Sequence, residues 1–243
     1  MRKTSLVLIP ALNEEQTIAD VVTDLRALDF DVLVVDDHSE DETADIAALH
    51  GADVLRLPIH LGVGGALRTG FRYAVENGYT EIIQVDADGQ HPTHQIVNLQ
   101  KAADYLGAHL VIGSRYLSED STIAQSSIRR FSMWCLGKVA SRIAGAALTD
   151  TTSGFRVIRE PLLTEFAREF PNYYLGDTFE ATIAALRAGY SVREIPAALA
   201  PRLHGTSSIN SLQAVALIAK VLIVALVGLH PRIRQAPATT EGK

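Results

Sequence analysis

Residues 81–92 read EIIQVDADGQHP, an apolar run followed by two carboxylates one residue apart, Asp86 and Asp88. EIIQV lacks the polar alternation of a half-exposed strand and fits a strand covered on both faces. On an extended backbone, residues two apart point to the same side, which would let Asp86 and Asp88 face one ligand together. Two like charges so close raise a pKa unless a cation sits between them. Oxygen donors favour magnesium, calcium or manganese over zinc, and Gln90 adds a neutral oxygen two residues on. These ligands are too few for a closed protein cage, so an open site completed by water and a diphosphate fits better. The D-x-D-G start also resembles a calcium loop, but the closing acid is missing, because position 97 is Val97.

Working outward, strand-like and helix-like stretches alternate. SLVLIPA, DVLVV, ADVLRL, EIIQV and HLVIGSR read as strands. NEEQTIADVVTDLRAL, SEDETADIAALHG, GGALRTGFRYAVENG and HPTHQIVNLQKAADYL read as helices, with Ser39 as a cap and Gly51 as a stop for the second. Apolar strands separated by helices predict an α/β fold with a mostly parallel sheet covered on both faces. From about Ser126 the pattern changes. A long amphipathic helix is expected over 126–148, then a strand in SGFRVI, a helix in YLGDTFEATIAALRAGY and a strand in SVREIP. The apolar segment Leu212–Leu229 follows, and then a polar tail expected to fray.

The 243 residues suit one large domain, or one domain with a C-terminal extension. Hydrophobic residues at 47% and charged residues at 21% exclude a disordered chain, and the net charge of −6 argues against a nucleic-acid binder. The single cysteine, Cys135, excludes an intramolecular disulfide and fits a reducing compartment. The basic-then-apolar start MRKTSLVLIPALNEE is too short for a signal peptide and runs straight into Asn13, Glu14 and Glu15. It reads as the first strand of a cytoplasmic protein.

Ligands of open α/β sheets bind beyond the carboxyl ends of the strands. Polar residues collect there: PALNE after the first strand, DDHS after the second, DADGQ after the fourth and GSR after the fifth. Ser39 and Asn77 alone read as caps or turn residues. HLGVGGALRTG lacks the Gly-Lys-Ser/Thr ending of a phosphate loop, and its glycines, Gly65 among them, fit either backbone approach to a ligand or a turn and helix start. DVLVVDDHSED imitates the acidic pair of a receiver domain, but a full strand and helix precede it and the chain runs far beyond a receiver's length.

PALNEE, VVDDHSEDET, LGVGGALRTGF, VDADGQHP, VIGSRY, DTTSGFRV and RLHGTSS occur in one order over nearly the whole chain. Together they resemble family 2 glycosyltransferases of the dolichol-phosphate mannosyltransferase type. The resemblance implies a GT-A fold, a nucleotide-sugar donor, Mg2+ or Mn2+, and inversion at the anomeric carbon. It implies a catalytic domain over 1–208, divided at 117 into donor and acceptor halves, then an apolar helix over 209–230 and a flexible tail over 231–243. By motif, Pro10, Ala11, Asn13 and Glu14 resemble base and ribose contacts, and Asp37, with Asp36, resembles the acid that reads the nucleobase. Asp86, Ala87 and Asp88 resemble the ribose- and metal-holding segment, with Gln90 as a further metal ligand. Arg115, Arg130, Arg202 and Ser207 resemble the groups around the diphosphate and the acceptor phosphate. Gly89 stands where mannosyltransferases often carry a larger apolar residue, which leaves UDP-glucose and UDP-N-acetylhexosamine open beside GDP-mannose.

A metal at Asp88, helped by Arg202, would stabilise charge on the leaving diphosphate. Asp177 and Glu180 are candidate bases, or ordinary helix-start acids, and a base is needed only if the acceptor is a hydroxyl. The main expectation is hexose transfer to a polyprenyl phosphate. Alternatives are transfer to a saccharide hydroxyl and a non-catalytic nucleotide-sugar-binding or signalling module. Leu212–Leu229, interrupted by Gln213 and Lys220, is marginal as a spanning helix and reads as an interfacial helix or as a core or dimer helix. The expected setting is the inner face of the cell membrane, with peripheral contact; a homodimer is compatible.

Overall fold

The computed structural model describes residues 4–117, 148–170, 177–198 and 233–237. Its elements are β1 (Ser5–Ala11), α1 (Ile18–Ala27), β2 (Asp31–Asp36), α2 (Thr43–Leu49), β3 (Asp53–Arg56), α3 (Gly62–Glu76), β4 (Glu81–Gln84), a 3-10 turn (Thr93–Gln95), α4 (Ile96–Leu106), β5 (Leu110–Ser114), β6 (Arg156–Arg159), α5 (Leu162–Arg168), α6 (Asp177–Arg187) and β7 (Val192–Pro196). They build a seven-stranded sheet of order β3-β2-β1-β4-β6-β5-β7. Only β6 runs against its neighbours, antiparallel to both β4 and β5.

The strands carry no polar alternation because both faces are covered. Leu6 and Leu8 of β1 face a core built with Leu67 and Phe71 of α3, Leu163 and Phe166 of α5, and Ala181 and Ala185 of α6. Val7 and Ile9 face the other core, built with Val21, Val22 and Leu25 of α1 and with Ile96, Leu99 and Ala103 of α4. Phe71, Phe166 and Phe170 meet with ring centroids 5.1–5.9 Å apart and bind α3 to α5.

Several local expectations need revision. α1 begins at Ile18, not Asn13, so Glu14 and Glu15 lie in the loop before it. Asn13 takes a left-handed φ of 55° that a helix start does not allow. Ser39 caps no helix: α2 starts after Glu42, and the Ser39 hydroxyl accepts the Asn13 N–H at 2.9 Å. Gly51 does follow the end of α2, at φ 93°, and Asn77 caps α3, donating to the Tyr73 carbonyl at 2.8 Å. α5 was not anticipated.

The tail was expected to fray, yet residues 233–237 dock. Ile233 and Ala236 pack against the core, the Arg234 N–H donates to Glu165 at 2.8 Å, and the Ala236 N–H donates to the Ala188 carbonyl at 2.7 Å. The expected amphipathic helix over 126–148, except for its last residue, and the apolar segment 212–229 lie outside the described residues. Ending the chain at residue 232 should lower the unfolding free energy by about 1–3 kcal/mol, the worth of a part-buried aliphatic side chain and two hydrogen bonds. Urea denaturation of the truncated and full chains measures it, and equal midpoints would show that the docking adds nothing.

Candidate active site

Because β6 is reversed, its leading loop meets the carboxyl ends of β1, β2, β4, β5 and β7 at one edge of the sheet. The loops after β1 and β2 clasp each other there. The Asp37 N–H donates to the Ala11 carbonyl at 2.9 Å, the Glu40 N–H to Asn13 Oδ1 at 2.9 Å, and the Glu14 N–H to Thr43 Oγ1 at 2.8 Å. Pro10, Ala11, Asn13 and Glu14 are thereby set beside Asp36 and Asp37. Asp36 accepts the Ser39 N–H at 3.2 Å.

Asp37 is 3% exposed and has partners within the fold. Its Oδ1 accepts the Leu61 N–H, at the start of α3, at 2.7 Å, and its Oδ2 lies 2.9 Å from His60 Nδ1. It therefore caps α3 from a distant loop, where the helix dipole favours an anion. Gly65, open to two readings in the sequence, serves the helix start. A Cβ there would lie 2.4 Å from the Leu61 Cβ, so the glycine admits Leu61, and the residue is buried within α3.

The acids of the fourth strand end are not equivalent. β4 stops at Gln84, so the alternation that would aim Asp86 and Asp88 to one side no longer applies. The chain turns instead, with Gly89 at φ 72°. Asp88 is 6% exposed and accepts the Gln90 N–H at 3.0 Å. The Asp86 side chain keeps 42% exposure, and Ala87 between the two is buried. His91 holds Asp86 from behind. Its Nδ1 accepts the Asp86 N–H at 2.9 Å, which leaves the ring proton on Nε2, 3.5 Å from Asp86 Oδ2. The imidazole stacks on Phe155 at 5.0 Å. From the β6 side, a Cβ on Gly154 would fall 2.3 Å from Asp86 Oδ1 and 2.6 Å from Oδ2, so the carboxylate occupies space that only glycine leaves.

This donor set fits a hard divalent ion. It offers carboxylate oxygens, one of them well exposed at the edge, and room for oxygens from water or a ligand. Among the described residues, no group of three His, Cys, Asp or Glu side chains forms a cage.

Arg115, expected near a diphosphate, is engaged within the protein. It grips Asp150 through Nε and Nη2, both at 2.7 Å, and Nη2 reaches Thr152 Oγ1 at 3.1 Å. Burial opposes its charge, but the hydrogen bonds and charge of Asp150 outweigh that and hold the guanidinium above its usual range. Asp150 is fully buried, and its N–H donates to Glu194 at 2.8 Å. Glu194 also accepts from the Thr149 N–H and hydroxyl, at 2.7 and 2.8 Å. Burial raises the Glu194 pKa, against the backbone bonds that lower it. Asp150, Glu194, His91 and Gly154 are site-edge residues that the sequence reading did not single out. His91 lies within VDADGQHP, and Asp150 and Gly154 within DTTSGFRV, but nothing local to those strings assigns them a role.

Asp177 is the first residue of α6, and Glu180, one turn on, is 5% exposed. The Asp177 side chain, Arg130, Arg202 and Ser207 lie outside the described set. A groove of about 590 Å³ lies at the opposite edge, lined by Ser5, Glu81, Gln100 and Arg159. Its polar groups bond one another: Glu81 accepts from Ser5 at 2.7 Å and Gln100 at 2.6 Å, and pairs with Arg159. The groove therefore reads as a structural network.

The model of "Glycosyl transferase family 2" matches residues 6–166. An undecaprenyl-phosphate mannosyltransferase of Micrococcus luteus is 34% identical over 216 residues, covering 84% of this chain and 87% of that protein. A polyprenol monophosphomannose synthase of Mycolicibacterium smegmatis is 31% identical, covering 85% and 81%. Among solved structures, glucosyl-3-phosphoglycerate synthase from Mycobacterium tuberculosis, in complex with Mn2+, UDP-glucose and phosphoglyceric acid, superposes with a TM-score of 0.67 at 23% identity, covering 92% and 80%. That likeness supports the GT-A fold. The chain belongs to glycosyl transferase family 2.

Two substitutions test the geometry. Gly154→Ala should push the Asp86 carboxylate aside and lower sugar transfer about 100-fold, as a misplacement near 1 Å does; a folded variant with normal transfer would show that Asp86 needs no seat. Arg115→Ala should leave Asp150 buried without its cation and lower the unfolding free energy by about 3–5 kcal/mol in urea titration. Unchanged stability with lost turnover would return Arg115 to the diphosphate.

Proposed function

We propose that this family 2 glycosyltransferase moves a hexose from a nucleotide sugar to a polyprenyl phosphate, with inversion at the anomeric carbon. The observation that carries the reading is the half-exposed Asp86 carboxylate, seated on Gly154 at the edge where the loops after β1, β2 and β4 converge. The relatives' names supply the acceptor class.

In this reading, Pro10, Ala11, Asn13 and Glu14, with Asp36 and Asp37, form the nucleoside side of the cleft. Asp86, Asp88 and Gln90 would hold Mg2+ or Mn2+, which would offset the negative charge on a departing diphosphate. Asp86 orients the donor because His91 and Gly154 fix its carboxylate. Arg115 keeps the 148–152 loop in place through Asp150, and Arg130, Arg202 and Ser207 remain the sequence candidates for phosphate contacts. A lipid phosphate arrives ionised and needs no base, whereas a sugar hydroxyl would have to lose its proton, with Asp177 as acceptor. GDP-mannose, UDP-glucose and UDP-N-acetylhexosamine are the candidate donors.

A lipid acceptor places the enzyme at the inner face of the cell membrane as a peripheral protein. No helix among the described residues is long and apolar enough to cross a membrane. The apolar composition of Leu212–Leu229, followed by Arg232 and Arg234, supports contact with its surface.

The test is a panel of labelled GDP- and UDP-sugars with manganese or magnesium, with and without polyprenyl phosphate. Transfer is expected only with the lipid and the metal, and Asp88→Ala or a chelator should abolish it. Transfer undiminished under both would sink the metal assignment. With the lipid acceptor, Asp177→Asn should keep substantial turnover; loss by several orders of magnitude, with folding and donor binding intact, would favour a hydroxyl acceptor instead.

A further inference from the structure

Arg156 opens β6 from inside the core, with 2% of its surface exposed. Its guanidinium donates to the Ser153 carbonyl at 2.6 Å, the Thr151 carbonyl, the Thr178 carbonyl at 3.0 Å and Thr182 Oγ1 at 3.0 Å. Two of these acceptors belong to the loop leading into β6, and two to the first turns of α6. The Thr182 hydroxyl donates onward to the Thr178 carbonyl at 2.7 Å, which fixes its lone pairs toward Arg156. Burial lowers the Arg156 pKa to about 10, so it stays charged at neutral pH, helped by the nearby charges of Asp150, Asp86 and Glu194.

The loop that Arg156 grips is the one that seats Asp86. Ser153 supplies a carbonyl to Arg156, Gly154 abuts the Asp86 carboxylate, and Phe155 stacks on the His91 ring that takes the Asp86 N–H. These consecutive residues form a rigid run from the acid turn to Arg156, and Arg156 continues it to α6. The planar, always-charged fork of arginine suits this work, because it fixes several acceptors in one geometry.

We propose that Arg156 is a positioning residue that ties the loop seating Asp86 to the start of α6, so that the donor-side carboxylate and the helix beginning at Asp177 keep one separation. The proposal rests on the transferase reading above. It touches no substrate, and its effect passes through Gly154, Phe155 and Thr182.

The full chain with Thr182→Val, Thr182→Ser or Arg156→Lys provides the test. The measurements are melting temperature, calorimetric affinity for GDP and UDP with and without Mn2+, and kcat and KM for the donor. Thr182→Val and Arg156→Lys should weaken Mn2+-dependent nucleotide binding about 10-fold, raise donor KM in step, and lower kcat about 30-fold, with nucleotide binding in the absence of metal nearly unchanged. Thr182→Ser, which keeps the hydroxyl, should restore all three. If Arg156→Lys does not fold, the Thr182 pair decides. Folded variants that bind and turn over like the parent chain overturn the proposal while the transferase reading stands. A parent chain that binds neither nucleotide with Mn2+ and transfers no sugar overturns both.

Discussion

The reversal of β6 governs the rest of the molecule. A strand inserted antiparallel between β4 and β5 begins where they end, so the loop before it arrives at the edge that collects the polar strand ends. Arg156 pairs with Gln84 on one side and Ile112 on the other. That register sets Gly154 against Asp86, Phe155 against His91, and Asp150 against Arg115. A parallel β6 would carry its leading loop to the opposite edge, where β4 begins at Glu81, and would break the pairing of Glu81 with Arg159.

The site edge contains buried charges, and each has a specific arrangement that makes burial tolerable. Asp37 takes a helix N-terminus and a histidine. Asp150 takes a bidentate arginine and backbone. Arg156 has carbonyls and a hydroxyl in place of a close anion. An isolated ion moved out of water is too costly to keep, so these charges persist only because several elements supply partners at once. The consequence is a stiff frame around the half-exposed Asp86.

The parallel half of the fold was legible because apolar strands and amphipathic helices leave strong periodic signals. Ile18, Val21, Val22 and Leu25 line the buried face of α1 as their spacing indicates. The direction of β6 was not legible: a strand covered on both faces reads the same either way. α5 escaped because its seven residues lie between Pro161 and Glu169, with no capping side chain and no stop glycine such as Gly51 gives α2. The acid turn was found by its composition, but the inequality of Asp86 and Asp88 depends on where β4 stops. Gly65 was ambiguous because close helix packing and close ligand approach both call for a missing side chain. The partner of Arg115 is 35 residues away, a pairing that no local pattern announces.

The sheet order has a consequence for how copies of the chain meet. Among the described residues its lateral strands are β3 and β7, and an unpaired strand flank is a template for further pairing. β3 is four residues long, with Asp53 and Arg56 exposed and Arg56 held by Asp45 at 2.7 Å. β7 exposes Arg193 and ends at Pro196, which has no N–H to offer a ladder. Short, charged and proline-terminated flanks discourage continuation of the sheet from one molecule into the next. Among the described residues, the flanks of the sheet are therefore poor surfaces for joining one copy of the chain to another.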